Sequence, residues 1–277
     1  MKIGLVTDST SDIPPDLVEL HAIEVVPAIL NIGDLSLEDG IGITRDKFYE
    51  QLPFLSTSPT TAAPSVGNFQ SRYDQLFSKG IEKILSIHPS NKLSGIYNAA
   101  RLAAQSFAEK VIVLDSGQIS LGLGFQVLAA AESISQGLKL EDILQLLESI
   151  KQRVRVVALL DTVEYMRRSG RVSWAKAMVG GLLNLKPMIE LRFGLVERAG
   201  QTRTREQGIK HLIENLQSWG SLERLAVLHT NSEEAARNLL ESLSIKLQDI
   251  PLVVNVTTVI GTHVGPNGLG FAAVPRV

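Results

Sequence analysis

The sequence predicts an α/β protein in two halves, a parallel sheet covered by helices followed by a second half built on a mixed sheet. Two observations lead there. Through the first 160 residues, short β-branched runs alternate with amphipathic stretches at helical spacing. After residue 154 the texture changes to a hairpin-like run and less regular strand–helix alternation.

In order, the spacing predicts strands over 2–7, 23–30, 83–88 and 111–115, and helices over 14–21, 45–52, 65–79, 94–108, 119–136 and 140–152. Thr44 and Ser65 stand just before two of these helices, where a hydroxyl accepts a bond from a free amide, and capping accounts for both. The second half predicts a strand over 155–160, a helix ending near Gly170, an apolar stretch over 174–185 and a hairpin over 186–198. A helix over 206–219, a strand over 225–229, a helix over 232–247 and strands over 252–260 and 269–274 complete it. The expected domains are 1–154 and 155–277, closely packed because no proline- or serine-rich linker joins them.

Composition narrows the function. A chain of 277 residues with 44% hydrophobic content can bury a large core without a metal or a staple. The absence of cysteine excludes disulfides, thiolate nucleophiles and iron–sulfur clusters. A near-balance of 27 basic and 29 acidic residues makes no electrostatic case for nucleic acid. The opening MKIGLVTDST turns polar too early for a signal-peptide core, and no apolar run is long enough to span a membrane, so a cytoplasmic protein without a transmembrane segment is expected.

Three predicted strands run into hydroxyl-rich loops: Thr7 to Asp12, Pro89 to Gly95 and Asp115 to Gly117. In a parallel sheet these emerge on one edge, where open α/β sheets bind ligands and helix N-termini hold anions. Ser94 and Gly95, opening a helix, suit an anion; caps and Asx turns explain any one of these loops taken alone. Phosphate-loop, nucleophile-elbow and zinc-helix motifs are absent, and the five histidines never pair at ligand spacing. Gly122-Leu123-Gly124 follows a helix start and reads as close packing. Between Gly261 and Gly265, His263 is expected at a strand end in a tight, irregular backbone.

Thr7 to Pro14, Thr61 to Ser65, Leu93-Ser94-Gly95, Asp115-Ser116, Ser169 to Ser173, Lys186-Pro187 and His263 to Pro266 together resemble, in order and spacing, the signature segments of the DegV family. That family is similar to the fatty-acid-binding subunit of bacterial fatty acid kinase, in which a separate ATP-binding subunit phosphorylates the presented carboxylate. The resemblance implies an a/b/a parallel-sheet domain joined to a mixed-sheet α/β domain, with a long-chain fatty acid buried between them and no cofactor. It places carboxylate binding on Thr61, Ser94 and His263, with Gly95 beside them, and docking of the kinase subunit on Arg171 and Arg203. Ala62, Ala63 and Ile96 stand where the family usually carries polar residues.

Two hydroxyls and an imidazole can satisfy a shielded carboxylate without a buried lysine or arginine and leave one oxygen open to phosphoryl transfer. The expected tunnel lining is 174–179 with Leu182 and Leu183, and 119–128. Arg167, Arg168, Arg171 and Lys176 form a local basic cluster suited to an acidic partner. A non-catalytic carrier is the leading reading. A serine hydrolase using Ser94 and His263, with Asp8 or Asp115 as orienting carboxylate, and a lipid-dependent sensor are the alternatives.

Overall fold

The computed structural model describes residues 1–176, 185–243 and 250–276. In chain order the first half carries β1 (Ile3–Asp8), α1 (Pro15–Leu20), β2 (Ile23–Val26), β3 (Ile29–Ile32), β4 (Leu35–Glu38), α2 (Arg45–Gln51) and β5 (Thr60–Ala62). It continues through α3 (Val66–Ser78), β6 (Lys83–His88), α4 (Ile96–Ala104), β7 (Val111–Asp115), α5 (Leu121–Ser135) and α6 (Leu140–Arg153). Next come β8 (Arg155–Leu159), α7 (Glu164–Ser169), α8 (Ser173–Lys176), β9 (Lys186–Arg192), β10 (Leu195–Thr202) and α9 (Arg205–Gln217). The last elements are β11 (Leu222–His229), α10 (Glu233–Glu241), β12 (Leu252–Asn255), α11 (Thr258–Val264) and β13 (Leu269–Pro275).

Four strands form a parallel sheet in the order β2-β1-β6-β7. Alternation along β1 sends Val6 toward Phe69, Tyr73 and Ala100 of α3 and α4, and Leu5 toward Leu121 and Leu123 of α5. Helices thus cover both faces, as the a/b/a expectation required. The second sheet is mixed, ordered β10-β9-β8-β13-β11-β12, with β11 and β12 parallel and the other pairs antiparallel. Its back face packs Val157, Val227 and Phe271 against Leu212, Leu216 and Leu239 of α9 and α10.

Its front face turns toward α5, which is therefore held between the two sheets and buried on nearly every side. The small residues of its first turn permit that approach. A Cβ on Gly122 would stand 2.6 Å from Val156 of the mixed sheet, and one on Gly124 2.5 Å from the Ser11 carbonyl at the end of the parallel sheet. Close packing is the role the sequence assigns to both glycines.

Two predicted elements are corrected. The strand expected over 23–30 breaks at Pro27, which offers no N–H to a ladder, and its second part becomes β3 in a separate antiparallel sheet ordered β4-β3-β5. The strand expected over 252–260 ends at Asn255 and gives way to α11. β-branched residues made that stretch read as strand; the helix starts where the Thr257 hydroxyl accepts the Ile260 amide at 3.4 Å and Asp12 and Asp39, distant in sequence, accept bonds from the Thr257 and Thr258 amides at 2.8 and 3.3 Å. Among the described residues, no helix is long and apolar enough to cross a membrane.

Candidate functional site

A cavity of about 190 Å³ opens between the front face of the mixed sheet, α11, and the loops at the carboxyl edge of the parallel sheet. Sheet register supplies its apolar wall: Val156 and Ala158 of β8, Leu191 and Ile189 paired with them on β9, and Leu228 of β11 all face it. Thr61, Ser94, Gly95, His263 and Arg171 all line the same cavity. Arg203 does not; it lies exposed in the turn between β10 and α9.

Thr61 enters on β5, opposite Leu30. Two residues on, the Ala63 methyl lies 3.8 Å from where a Cβ on Gly95 would stand, which puts the end of the strand beside the Ser94 loop. That loop is closed by bonds from the Leu93 and Ser94 amides to the Ser90 carbonyl. Ser94 Oγ accepts from the Ile96 amide at 3.3 Å, so its own hydroxyl hydrogen remains available to a ligand. Gly95 precedes α4, where first-turn amides have no helical carbonyl to reach. Ala62, Ala63 and Ile96 line the cavity too, making apolar a rim that hydroxyl or amide groups would have made polar.

His263 sits in the last turn of α11 rather than at a strand end, a correction that follows from the capping by Asp12 and Asp39. The flanking glycines have separate causes. Gly261 lets the fully buried Tyr49 ring pack against the helix, where an added Cβ would lie 2.7 Å from Cε1. Gly265 ends the helix at φ +77 against the Tyr165 ring. Burial, and secondarily the Arg171 guanidinium, lower the His263 pKa to about 4, so the imidazole is neutral at pH 7. Its Nε2 shares a hydrogen bond of 3.0 Å with Thr61 Oγ1, while Nδ1 is buried without a protein partner among the described residues. With the proton on Nε2, His263 donates to Thr61, no N–H is left buried unpaired, and the Thr61 hydroxyl hydrogen is free for an anion.

The carboxylates offered as orienting groups for a hydrolase are engaged elsewhere. Asp8 receives Thr10 Oγ1 and lies 2.7 Å from His88 Nδ1 in the core, and Asp115 accepts from the Gly117 and Asn91 amides. Arg167 and Arg168 both bond Glu164, whose pKa hydrogen bonding lowers to about 2, so part of the basic cluster is neutralised. Arg171 donates to the Ser169 carbonyl at 3.1 Å and stays exposed at the cavity rim. Of the expected lining, Ile119 and Ser120 reach the cavity, whereas 121–128 packs into the core and Trp174, Ala175 and Lys176 do not line it. Residues 177–184, including Leu182 and Leu183, lie outside the described residues.

Sequence reasoning missed Asp12, Asp39 and Tyr49 as supports of the His263 helix, and no local signal marks them. It also missed the sheet wall, for which alternation along 155–159 and 186–192 was the available signal.

Comparison with known proteins agrees with this architecture. The family model of the DegV proteins, described as uncharacterised, matches residues 2–276. Protein DegV of Bacillus subtilis is 34% identical over 278 residues, which is 98% of each chain. Among solved structures, a DegV family protein from Thermus thermophilus described for its fatty acid binding aligns with TM-score 0.91 and 33% identity over 100% of both chains. The structure of DegV from Bacillus subtilis, described as a fatty acid binding protein, aligns with TM-score 0.88 and 32% identity, again over 100% of both. With a family match from the first strand to the last and a solved family structure that superposes over the whole chain, this chain belongs to the DegV family.

Proposed function

We propose that this protein is a non-catalytic carrier of one long-chain fatty acid, which it presents to a separate ATP-dependent fatty acid kinase subunit in the cytoplasm. On this reading residues 1–154 and 155–277 are the two domains, and the acid lies buried between them. The observation that carries it is the cavity itself, an apolar sheet wall ending at a cluster of Thr61, Ser94 and His263. Thr61 and Ser94 each donate one bond to the carboxylate, the Gly95 amide faces it from a helix N-terminus, and neutral His263 fixes the Thr61 hydroxyl. Three neutral donors offset the several kcal/mol that shielding an unpaired ion costs. They also leave an oxygen exposed for phosphoryl transfer, with Arg171 at the rim and Arg203 beyond it facing the acidic partner.

The acyl chain supplies most of the affinity, about 0.8 kcal/mol for each methylene buried, before the cost of association. No cofactor is required. Fatty acid binding by the Thermus thermophilus and Bacillus subtilis relatives supports the ligand class.

Mass spectrometry of lipid extracted from purified protein tests the reading. A stoichiometric long-chain acid is expected, and incubation with the kinase subunit and ATP should convert it to acyl phosphate. Protein that retains no acid and binds none in titration refutes the carrier. Ester hydrolysis abolished by Ser94→Ala would replace it with a hydrolase.

A further inference from the structure

We propose that the protein carries a second ligand site, on the back face of the mixed sheet, that binds a phosphate group. Alternation decides the placement. Val156, Ala158, Ile189 and Leu191 face the acyl cavity, so Arg155, Glu190 and Arg192 project to the opposite face. There a cavity of about 330 Å³ is walled by Lys151 and Arg153 from the last turn of α6, by Arg155 and by Arg192, with Trp219 behind them. The proposal does not depend on what the front cavity holds.

The four cations line this cavity with no carboxylate in its described wall, and among the described residues Glu190 and Glu223 are the acids that pair with them. Two positive charges are therefore left uncompensated. Arg153 is committed, donating to Glu223 Oε2 at 2.9 Å and to the Pro275 carbonyl. Arg155 is not. Its Nε lies 3.2 Å from Glu190 Oε1, near enough for an ion pair, yet that oxygen has no hydrogen-bond partner because the geometry is out of line. Lys151 gives one of its three hydrogens to the neutral Asp115 carbonyl at 2.7 Å. Arg192 is exposed, stacked on the Phe193 ring at 5.4 Å, with no acidic partner among the described residues.

Compensation of the α6 dipole explains Lys151 and Arg153, which belong to its last turn. It does not explain Arg155 and Arg192, which arrive from two different strands. The Trp219 ring lies 5.2 Å from the Arg155 guanidinium and holds its fork in place. Planar guanidinium forks pair bidentately with phosphate oxygens, and two uncompensated charges match a phosphate monoester, which carries about −1.5 to −2 at neutral pH. The site is also far from one of the proposed docking arginines, Arg203. Arg203 follows Thr202, which pairs with Lys186 at one end of the β9–β10 ribbon, whereas Arg192 lies at the other, roughly 20 Å along the strand.

The test uses the full protein at low ionic strength, titrated with inorganic phosphate and with pyrophosphate and followed by calorimetry and Trp219 emission. A second arm uses phosphatidylcholine vesicles with and without phosphatidic acid. Because the Arg192 side chain is exposed and stacked on the Phe193 ring, Arg192→Gln and Arg192→Glu should fold, which circular dichroism checks. Saturable binding is expected in the wild type, weakened about tenfold by Arg192→Gln, the equivalent of about 1.4 kcal/mol, and further by Arg192→Glu. Binding of the soluble anions assigns a free phosphate compound. Binding confined to vesicles with phosphatidic acid, with the same order of variants, assigns a lipid headgroup. Absence of binding in both arms, or binding that both variants leave unchanged, overturns the proposal.

Discussion

Ser94→Ala isolates one contact of the proposed head-group site. Ser94 Oγ accepts from the Ile96 amide and donates to no protein atom among the described residues, so its hydroxyl hydrogen is available to the ligand. Removing it deletes one hydrogen bond to a carboxylate, about 1.5–3 kcal/mol, and so weakens binding by roughly 10- to 150-fold. The Ile96 amide also loses its acceptor, which costs stability on the order of 0.5–2 kcal/mol, as at other helix starts. Equilibrium titration with a fluorescent long-chain fatty acid measures the first effect and urea unfolding the second. A long-chain alcohol serves as control, since it fills the same apolar wall but presents no anion; its affinity should change far less than that of the acid. An acid affinity within about threefold of wild type, in a folded variant, would refute the assignment of Ser94 to the carboxylate.

Acidification gives a second prediction with a definite sign. The His263 pKa falls from 6.5 to about 4 on folding, so its contribution to stability is present above pH 6.5 and lost as pH drops toward 4, at most on the order of 3 kcal/mol. Burial raises Asp12 from 3.8 to about 6, which acts oppositely, adding stability as pH falls from 6 toward 3.8. The two offset each other in the wild type, so His263→Gln should gain stability relative to wild type on going from pH 7 to pH 4; parallel curves in urea unfolding would contradict this. Gly261→Ala should cost about 1–3 kcal/mol and weaken fatty acid retention, because its methyl would overlap the buried Tyr49 ring and displace the His263 helix. Asp39→Ala removes the acceptor of the Thr258 amide and hydroxyl and should lower stability by about 1–2 kcal/mol, read as a shift of the urea midpoint at constant slope.

Local pattern carried much of this fold. Strand β6 and helix α6 follow from short-range periodicity, and the Thr44 and Ser65 caps from residue type, because each is decided within a few residues. The hydroxyl-rich loops were legible as one edge since a parallel sheet leaves no other place for them.

What the sequence could not decide was anything fixed by partners far along the chain. Residues 252–260 have the composition of a strand, and their end becomes a helix where the Thr257 hydroxyl caps the Ile260 amide and the distant carboxylates of Asp12 and Asp39 take the Thr257 and Thr258 amides. That helix is what carries the His263 imidazole to Thr61, about 200 residues away in sequence, and burial there is what makes the ring neutral. Residue identity determined which groups were available; the packing of two sheets against α5 decided which of them share a cavity, because burial and distance are properties of the folded chain alone.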